Sequence, residues 1–216
     1  MTNRGIFLAF EGGEGVGKST QLRLFASWLE EGGIPHLVAR EPGGTPVGEA
    51  IRKILLDRAE LDVPAETELL LMLSARAAFV RRIVVPTLDR GEVMVADRYQ
   101  LSSFVYQGIG RGLGVEVVRQ VNTFATGGLQ PDLTIVFDIS IDEGISRQKK
   151  AGKERDRIEA SGRAFLEAVR EGYLTLARGD DRIVVLDASI PPEELHAQVR
   201  KVVQSRFPET FGGIHK

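Results

Sequence analysis

The sequence predicts an α/β domain built on a five-stranded parallel sheet with helices on both faces. Three observations predict it. Strand-like and helix-like segments alternate along the chain, as they do where helices cross over between parallel strands. A glycine-rich turn joins the first apolar strand to the first amphipathic helix. The segments after Phe10, Arg40 and Ala96 become polar or glycine-rich, and ligands of open parallel sheets sit at the carboxyl ends of strands.

Residues 5–10 form a compact apolar strand. The helix after it carries Leu22, Phe25, Trp28 and Leu29 on one face at helical spacing, and Gly32 and Gly33 stop it. Residues 36–40 read as a second strand. Two helical stretches follow. One covers about 47–56. The other begins near Ala65 with a leucine-rich face, and Pro86 is expected to kink or end it. Residues 92–96, 132–138 and 182–186 read as further strands, and 192–206 as the last helix. Residues 1–206 are expected to form a single domain. The tail, 207–216, holds a proline and a glycine pair and is expected to fray.

Length and composition fit such a domain. The chain has 216 residues, 43% hydrophobic and 27% charged, with a formal net charge of -2. A near-neutral balance gives no reason to expect nucleic-acid or membrane partners, so an anion site must come from local placement of charge. No apolar run approaches the roughly 18 residues that cross a bilayer, and the run at 6–10 is too short for a signal-peptide core. The absence of cysteine excludes thiol catalysis and thiolate metal sites and fits a reducing cytoplasm.

Gly12-Gly13-Glu14-Gly15-Val16-Gly17-Lys18-Ser19 fits G-x-x-x-x-G-K-[ST] between an apolar strand and an amphipathic helix. Its glycines let backbone N–H groups face a phosphate, and the helix N-terminus adds partial positive charge. Lys18 can reach the β- and γ-phosphates, and the Ser19 hydroxyl can ligate Mg²⁺. Nucleoside triphosphate binding follows, with the loop running on to Thr20. No Asn-Lys-x-Asp segment is present to read guanine, which sets a GTPase switch aside. A kinase acting on a small phosphate acceptor remains.

Three further motifs narrow the choice: Arg40-Glu41-Pro42-Gly43-Gly44-Thr45 after the second strand, Asp97-Arg98-Tyr99 with a serine-rich turn after the third, and Asp156-Arg157-Ile158-Glu159 in a charged segment. With the loop from Glu11 to Thr20, this ordered set resembles bacterial thymidylate kinase, a P-loop nucleoside monophosphate kinase, from Ile6 to about Val203. The resemblance implies the site. Arg98 would hold the acceptor phosphate, which a planar guanidinium can grip with two parallel hydrogen bonds. Asp97 would help hold Mg²⁺. Glu14 would contact the acceptor's 3′-hydroxyl, Arg76 the thymine edge, and Ser103 the base. Tyr106 would occupy the space of a ribose 2′-hydroxyl, with Gln107, Arg40 and Pro42 also bordering the dTMP pocket. Met72 stands one helical turn before Arg76, where the family commonly has a phenylalanine stacked on thymine. A thioether can also pack on a ring. Glu11 can be read equally as a structural carboxylate or as part of the site.

Between Arg147 and Arg163 lie seven basic residues against three acidic ones, a local balance of +4. Most charge runs are solvated surface, but beside a phosphate loop this one (about 147–160) reads as a small lid. One branch of the family places an arginine inside the loop, and the other has glycine there and arginines in the lid. Gly15 places the chain in the second branch. Lysines at 149, 150 and 153 replace part of the usual arginine run, so Arg147, Arg155 and Arg157 are the lid candidates. Arg157 could instead be structural through Asp156 or Glu159. Gly152 is a flexing point for closure. The chemistry needs no general base, because the attacking group is a phosphate oxygen, and His36, His196 and His215 lie away from every motif. The family implies ATP with Mg²⁺, dTMP as acceptor and a homodimer through helices on one sheet face. The alternatives are a kinase for dUMP or UMP and a non-catalytic ATP-binding regulatory module.

Overall fold

The computed structural model describes residues 4–57, 60–152, 157–158 and 161–214. Five strands, β1 (Phe7–Gly12), β2 (His36–Arg40), β3 (Val93–Asp97), β4 (Leu133–Asp138) and β5 (Ile183–Asp187), form one sheet in the order β2-β3-β1-β4-β5. Every pairing is parallel. β1 lies in the middle, and its carboxyl end meets both neighbours there: Phe10 pairs with Asp97 and Gly12 with Phe137. The phosphate-loop turn and the Asp97-Arg98 turn therefore start side by side.

Both faces of the sheet are covered, which is why its strands read as continuous apolar runs. Leu8 and Phe10 of β1 point one way, with Val95, Ile135 and Phe137, onto helices α1 (Lys18–Glu31) and α9 (Pro192–Arg206). Phe7 and Ala9 point the other way, onto Phe79, Val80, Val84 and Leu88. A third cluster fills the second face beyond β4, where Val136 meets Leu69, Leu73, Tyr106, Val169 and Tyr173. These come from α3 (Ala65–Phe79), the wide helical turn Phe104–Gly110 and α8 (Arg163–Ala177). α6 (Val115–Thr126) packs outside α3.

Side-chain caps start two of the helices. Thr45 caps α2 (Pro46–Arg52), its hydroxyl accepting from the Gly48 N–H at 2.9 Å, with Pro46 at the first helical position. Ser140 does the same for α7 (Ile141–Lys150) through Glu143 at 3.3 Å. α4 (Val85–Asp89) and the short α5 (Gln100–Ser103) flank β3.

Three expectations change. The helix expected over 47–56 gives way after Arg52 to a wide π-type turn, Lys53–Asp57. Pro86 neither ends nor breaks its helical run, which continues through a second wide turn, Val80–Val84, into α4. A proline has no N–H and crowds the carbonyl four residues back. A π-type turn just ahead of it re-spaces those carbonyls, so the ring is accommodated. The tail does not fray within the described residues. α10 (Pro208–Phe211) buries Phe211 completely, with its ring stacked 5.9 Å from Trp28. Gln204 Nε2 donates to the carbonyls of Phe211 (3.3 Å) and Ile214 (2.9 Å).

Candidate active site

Several glycines of the turn after β1 hold positions that a side chain cannot take. A Cβ on Gly12, at φ 131°, would lie 2.3 Å from the Phe137 carbonyl oxygen. Gly17 takes φ 90° immediately before α1. Lys18, in the first turn of α1, curls back and donates through Nζ to the carbonyls of Gly12 (2.9 Å) and Gly13 (2.7 Å). Burial, followed by the charge of Arg98, lowers its ammonium to about 8, while Glu14, Asp97 and Glu11 pull the other way.

Gly15, at φ 71°, touches α7. A Cβ there would lie 2.2 Å from the Gly144 carbonyl oxygen, and a Cβ on Gly144 would lie 2.6 Å from the Glu14 carbonyl oxygen. Two backbones thus meet at van der Waals distance, and residue 15 has no room for a side chain of any kind.

The turn after β3 is held by Glu11, which proves to be a structural carboxylate. Its Oε1 accepts from the N–H groups of Tyr99 (2.8 Å) and Ser102 (3.1 Å), and its Oε2 from the hydroxyls of Ser102 (2.6 Å) and Tyr173 (3.0 Å). Arg98, just before them, takes φ 70°, a left-handed conformation rare for a long side chain. Its Nη1 donates to the Gly12 carbonyl at 2.9 Å, and its Nη2 pairs with Glu14. The guanidinium also lies 5.4 Å from the centre of the Tyr106 ring.

These turns open into one cavity of about 930 Å³. Glu14, Gly15, Val16, Gly17, Lys18, Ser19 and Thr20 line it from the loop side. Arg98 and Tyr106 line it where they meet Glu14 of the loop, Arg40, Pro42, Met72, Arg76, Ser103 and Gln107 line the far side, and Arg147 and Asp97 also reach it. Gly12 and Gly13 lie behind the lining, against the sheet end. Two far-side residues have their polar groups engaged elsewhere. Arg40 pairs with Glu49 at 2.9 Å, and the Gln107 amide donates to Glu68 at 2.8 Å. Arg76 is 2% exposed and bonded to Glu41, Asn122 and Tyr99.

The lid candidates separate. Arg147 Nη1 donates to the Ala188 carbonyl at 2.9 Å while its Nη2 pairs with Glu143 at 2.5 Å, and it faces the cavity. Arg157 does not line the cavity. It bonds the fully buried Glu68 at 2.6 Å and the Leu55 carbonyl at 2.9 Å. Arg155 lies outside the described residues, as do Lys153, Asp156 and Glu159.

Asp97 Oδ1 is buried on the cavity side and meets no donor among the described residues. Such an acceptor suits a hydrated cation, and the Ser19 hydroxyl lies on the same cavity. Among the described residues no group of three or more carboxylate, histidine or cysteine side chains gathers to hold a metal. His196 is buried on α9, and burial, followed by Arg200, lowers its imidazole to about 4. It is therefore neutral at physiological pH and stands away from the cavity.

Several lining or supporting residues gave no sequence signal or a signal without a partner. Ala188, Ser189 and Pro191, ahead of α9, wall the cavity beside Arg147. Ser102 and Tyr173 complete the Glu11 cluster, and Tyr173 comes from a helix whose sequence shows only amphipathic spacing. Glu41 sits inside the R-E-P-G-G-T motif, which marked it as notable without showing its partner.

A thymidylate kinase family model matches residues 10–199. The chain is 46% identical to the thymidylate kinase of Symbiobacterium thermophilum, over 96% of this chain and 97% of that protein. It is 45% identical to that of Caldanaerobacter subterraneus, over 93% and 96%. Its fold superposes on a crystal structure of thymidylate kinase from Ehrlichia chaffeensis with TM-score 0.77, 27% identity and coverage of 93% of this chain and 100% of that one. Sequence, fold and the ordered motifs around one cavity agree, and the chain belongs to the thymidylate kinase family.

Proposed function

We propose that the chain transfers the γ-phosphoryl group of ATP to the phosphate of dTMP, releasing ADP and dTDP. The observation that carries this reading is that one cavity is lined both by the phosphate loop and by Arg98, Arg76 and Tyr106. ATP then lies along the N–H groups of the loop and the N-terminus of α1, and Lys18 leaves its loop carbonyls for phosphate oxygens. Arg98 grips the acceptor phosphate, which is largely dianionic at neutral pH because its second pKa is about 6. An acceptor oxygen attacks in line: its bond to the γ-phosphorus forms as the bond to the bridging β–γ oxygen breaks. No proton has to be removed, because the attacking group is already an anionic phosphate oxygen.

Glu14 meets the 3′-hydroxyl, and Tyr106 fills the space a 2′-hydroxyl would need. Pro42, Met72, Ser103 and Gln107 frame the base, with Arg40 at the edge and Arg76 facing the base's keto edge. Arg147 is the lid cation best placed to meet charge on the transferring group, and Arg155 belongs to the same segment. Arg157 is engaged by Glu68, which favours an anchoring role for it. Asp97 and Ser19 would hold Mg²⁺, which when bound would neutralise charge on the β and γ oxygens.

The test is coupled ADP release with a panel of monophosphates. dTMP and dUMP should surpass UMP in kcat/KM by about tenfold to a hundredfold, since a hydroxyl buried without a partner costs roughly 1–3 kcal/mol. If dTMP fails to stimulate ADP release, the reading is wrong.

A homodimer is supported by an exposed apolar face on α6 and α3. Phe124 is 89% exposed, Leu70 57% and Val117 54%, and 117, 121 and 124 share one helical face. Sedimentation should give a dimer that Phe124→Asp weakens, and a wild-type monomer at micromolar concentration would remove this reading. No helix among the described residues is long and apolar enough to cross a membrane, and the cysteine-free composition supports a cytoplasmic location.

A further inference from the structure

Arg76 is anchored at three points by three separate segments. Its Nε donates to Glu41 Oε1 at 2.5 Å, in the turn after β2. Its Nη1 donates to Asn122 Oδ1 at 2.8 Å, on α6, and its Nη2 donates to the Tyr99 carbonyl at 3.0 Å, after β3. The Tyr99 ring packs against the guanidinium at 5.2 Å. A guanidinium has five N–H donors in a rigid fork. Three are engaged, so one N–H remains on each of Nη1 and Nη2 with no further acceptor among the described residues.

Glu41 is the only charged anchor of the three. Its side chain and that of Arg76 are each 2% exposed, and both residues line the cavity. Removing one partner of such a pair leaves the other as an uncompensated buried charge. Asn122 is itself fixed, its Nδ2 donating to Gln100 Oε1 at 3.1 Å.

We propose that Glu41, seconded by Asn122, is a positioning residue that locks Arg76 so that its two remaining N–H donors face the acceptor base, making the site select a pyrimidine with a keto oxygen at position 4. This deepens the proposed function and rests on its placement of Arg76 at the base edge. A 4-keto oxygen accepts from those donors. A 4-amino group sets N–H against N–H and leaves buried donors unpaired. Sites built to hydrogen-bond one group reject an analogue lacking it far more strongly than apolar pockets reject a missing methylene. Without Glu41 the long side chain regains rotamer freedom, and its donors lose their direction.

The experiment is steady-state kinetics of wild type, Arg76→Ala, Glu41→Ala, Glu41→Gln and Asn122→Ala with dTMP and dCMP, with thermal melting of each variant. Glu41→Ala should raise the KM for dTMP about tenfold to a hundredfold, change kcat only a few-fold, and lower the dTMP-to-dCMP ratio of kcat/KM by a comparable factor. Glu41→Gln keeps an oxygen for Arg76 Nε and should recover most of that ratio. A merely structural role would lower the melting temperature without moving the ratio. If Arg76→Ala collapses the ratio while Glu41→Ala keeps the wild-type value, the positioning role is overturned. If Arg76→Ala itself leaves the ratio unchanged, the base-edge reading falls and the inference falls with it. Should Glu41→Ala not fold, Asn122→Ala decides in the same way: a lowered ratio supports the lock, and a wild-type ratio contradicts it.

Discussion

Arg98 adopts φ 70°, a conformation that costs a long side chain on the order of 1–3 kcal/mol and persists only where its surroundings over-determine it. The Glu11 cluster does so by tying down Tyr99 and Ser102, which follow it, while the N–H of Arg98 itself donates to the Phe10 carbonyl at 2.9 Å. The strain therefore lies on the residue that faces both Glu14 and the cavity. Lys18 is the other cation there, its ammonium lowered to about 8, chiefly by burial. A triphosphate brings negative charge and raises it again. A group whose pKa rises on binding takes up a proton, so at pH 8 ATP binding should absorb on the order of half a proton through Lys18. At pH 6 the lysine is already protonated and contributes none. Calorimetry in two buffers of different ionisation enthalpy measures this, and no uptake at pH 8 would contradict the assignment. Lys18, Asp97 and Arg98 are legible in the sequence because each stands beside a strand end within a short motif. The lock around Arg76 is not. Its partners are 35 and 46 residues away along the chain, and neither periodicity nor spacing links a loop glutamate to an asparagine on a distant helix.

Among the elements, the phosphate loop and α7 form a unit. Gly15 and Gly144 bring two backbones together so closely that an arginine at position 15 has no place. A cation at the transferring group cannot come from position 15, and α7, which carries Arg147, is the element pressed against the loop. Gly144→Ala should raise helix propensity by up to about 1 kcal/mol, yet its Cβ would fall 2.6 Å from the Glu14 carbonyl oxygen and displace the loop. The expected outcome is a KM for ATP raised about tenfold, with the KM for dTMP raised as well because Glu14 also serves the acceptor; a wild-type KM for ATP would sever the coupling. The strands are legible to within two residues because the three central ones are apolar runs buried on both faces and the edge strands β2 and β5 are mostly apolar as well. Pro86 and the tail are not. A π-type turn has no distinct residue pattern, and Phe211 looks like a terminal aromatic until Trp28 and Phe25, from the opposite end of the chain, are folded beside it.

At the scale of the whole molecule, the strand order explains why distant motifs share one cavity. With β1 central and β3 beside it, the turns after both open at the same end of the sheet, and the turn after β2 follows next to them. That end is where ligands of open parallel sheets bind. The central claim is that one phosphoryl group crosses this cavity from one nucleotide to the other. The most direct measurement follows ATP labelled at its γ-phosphate through a single turnover with excess enzyme and dTMP. The label should appear in dTDP at the rate ADP forms, with little inorganic phosphate. Label released as inorganic phosphate, or ADP formed at a rate independent of dTMP, would contradict that claim.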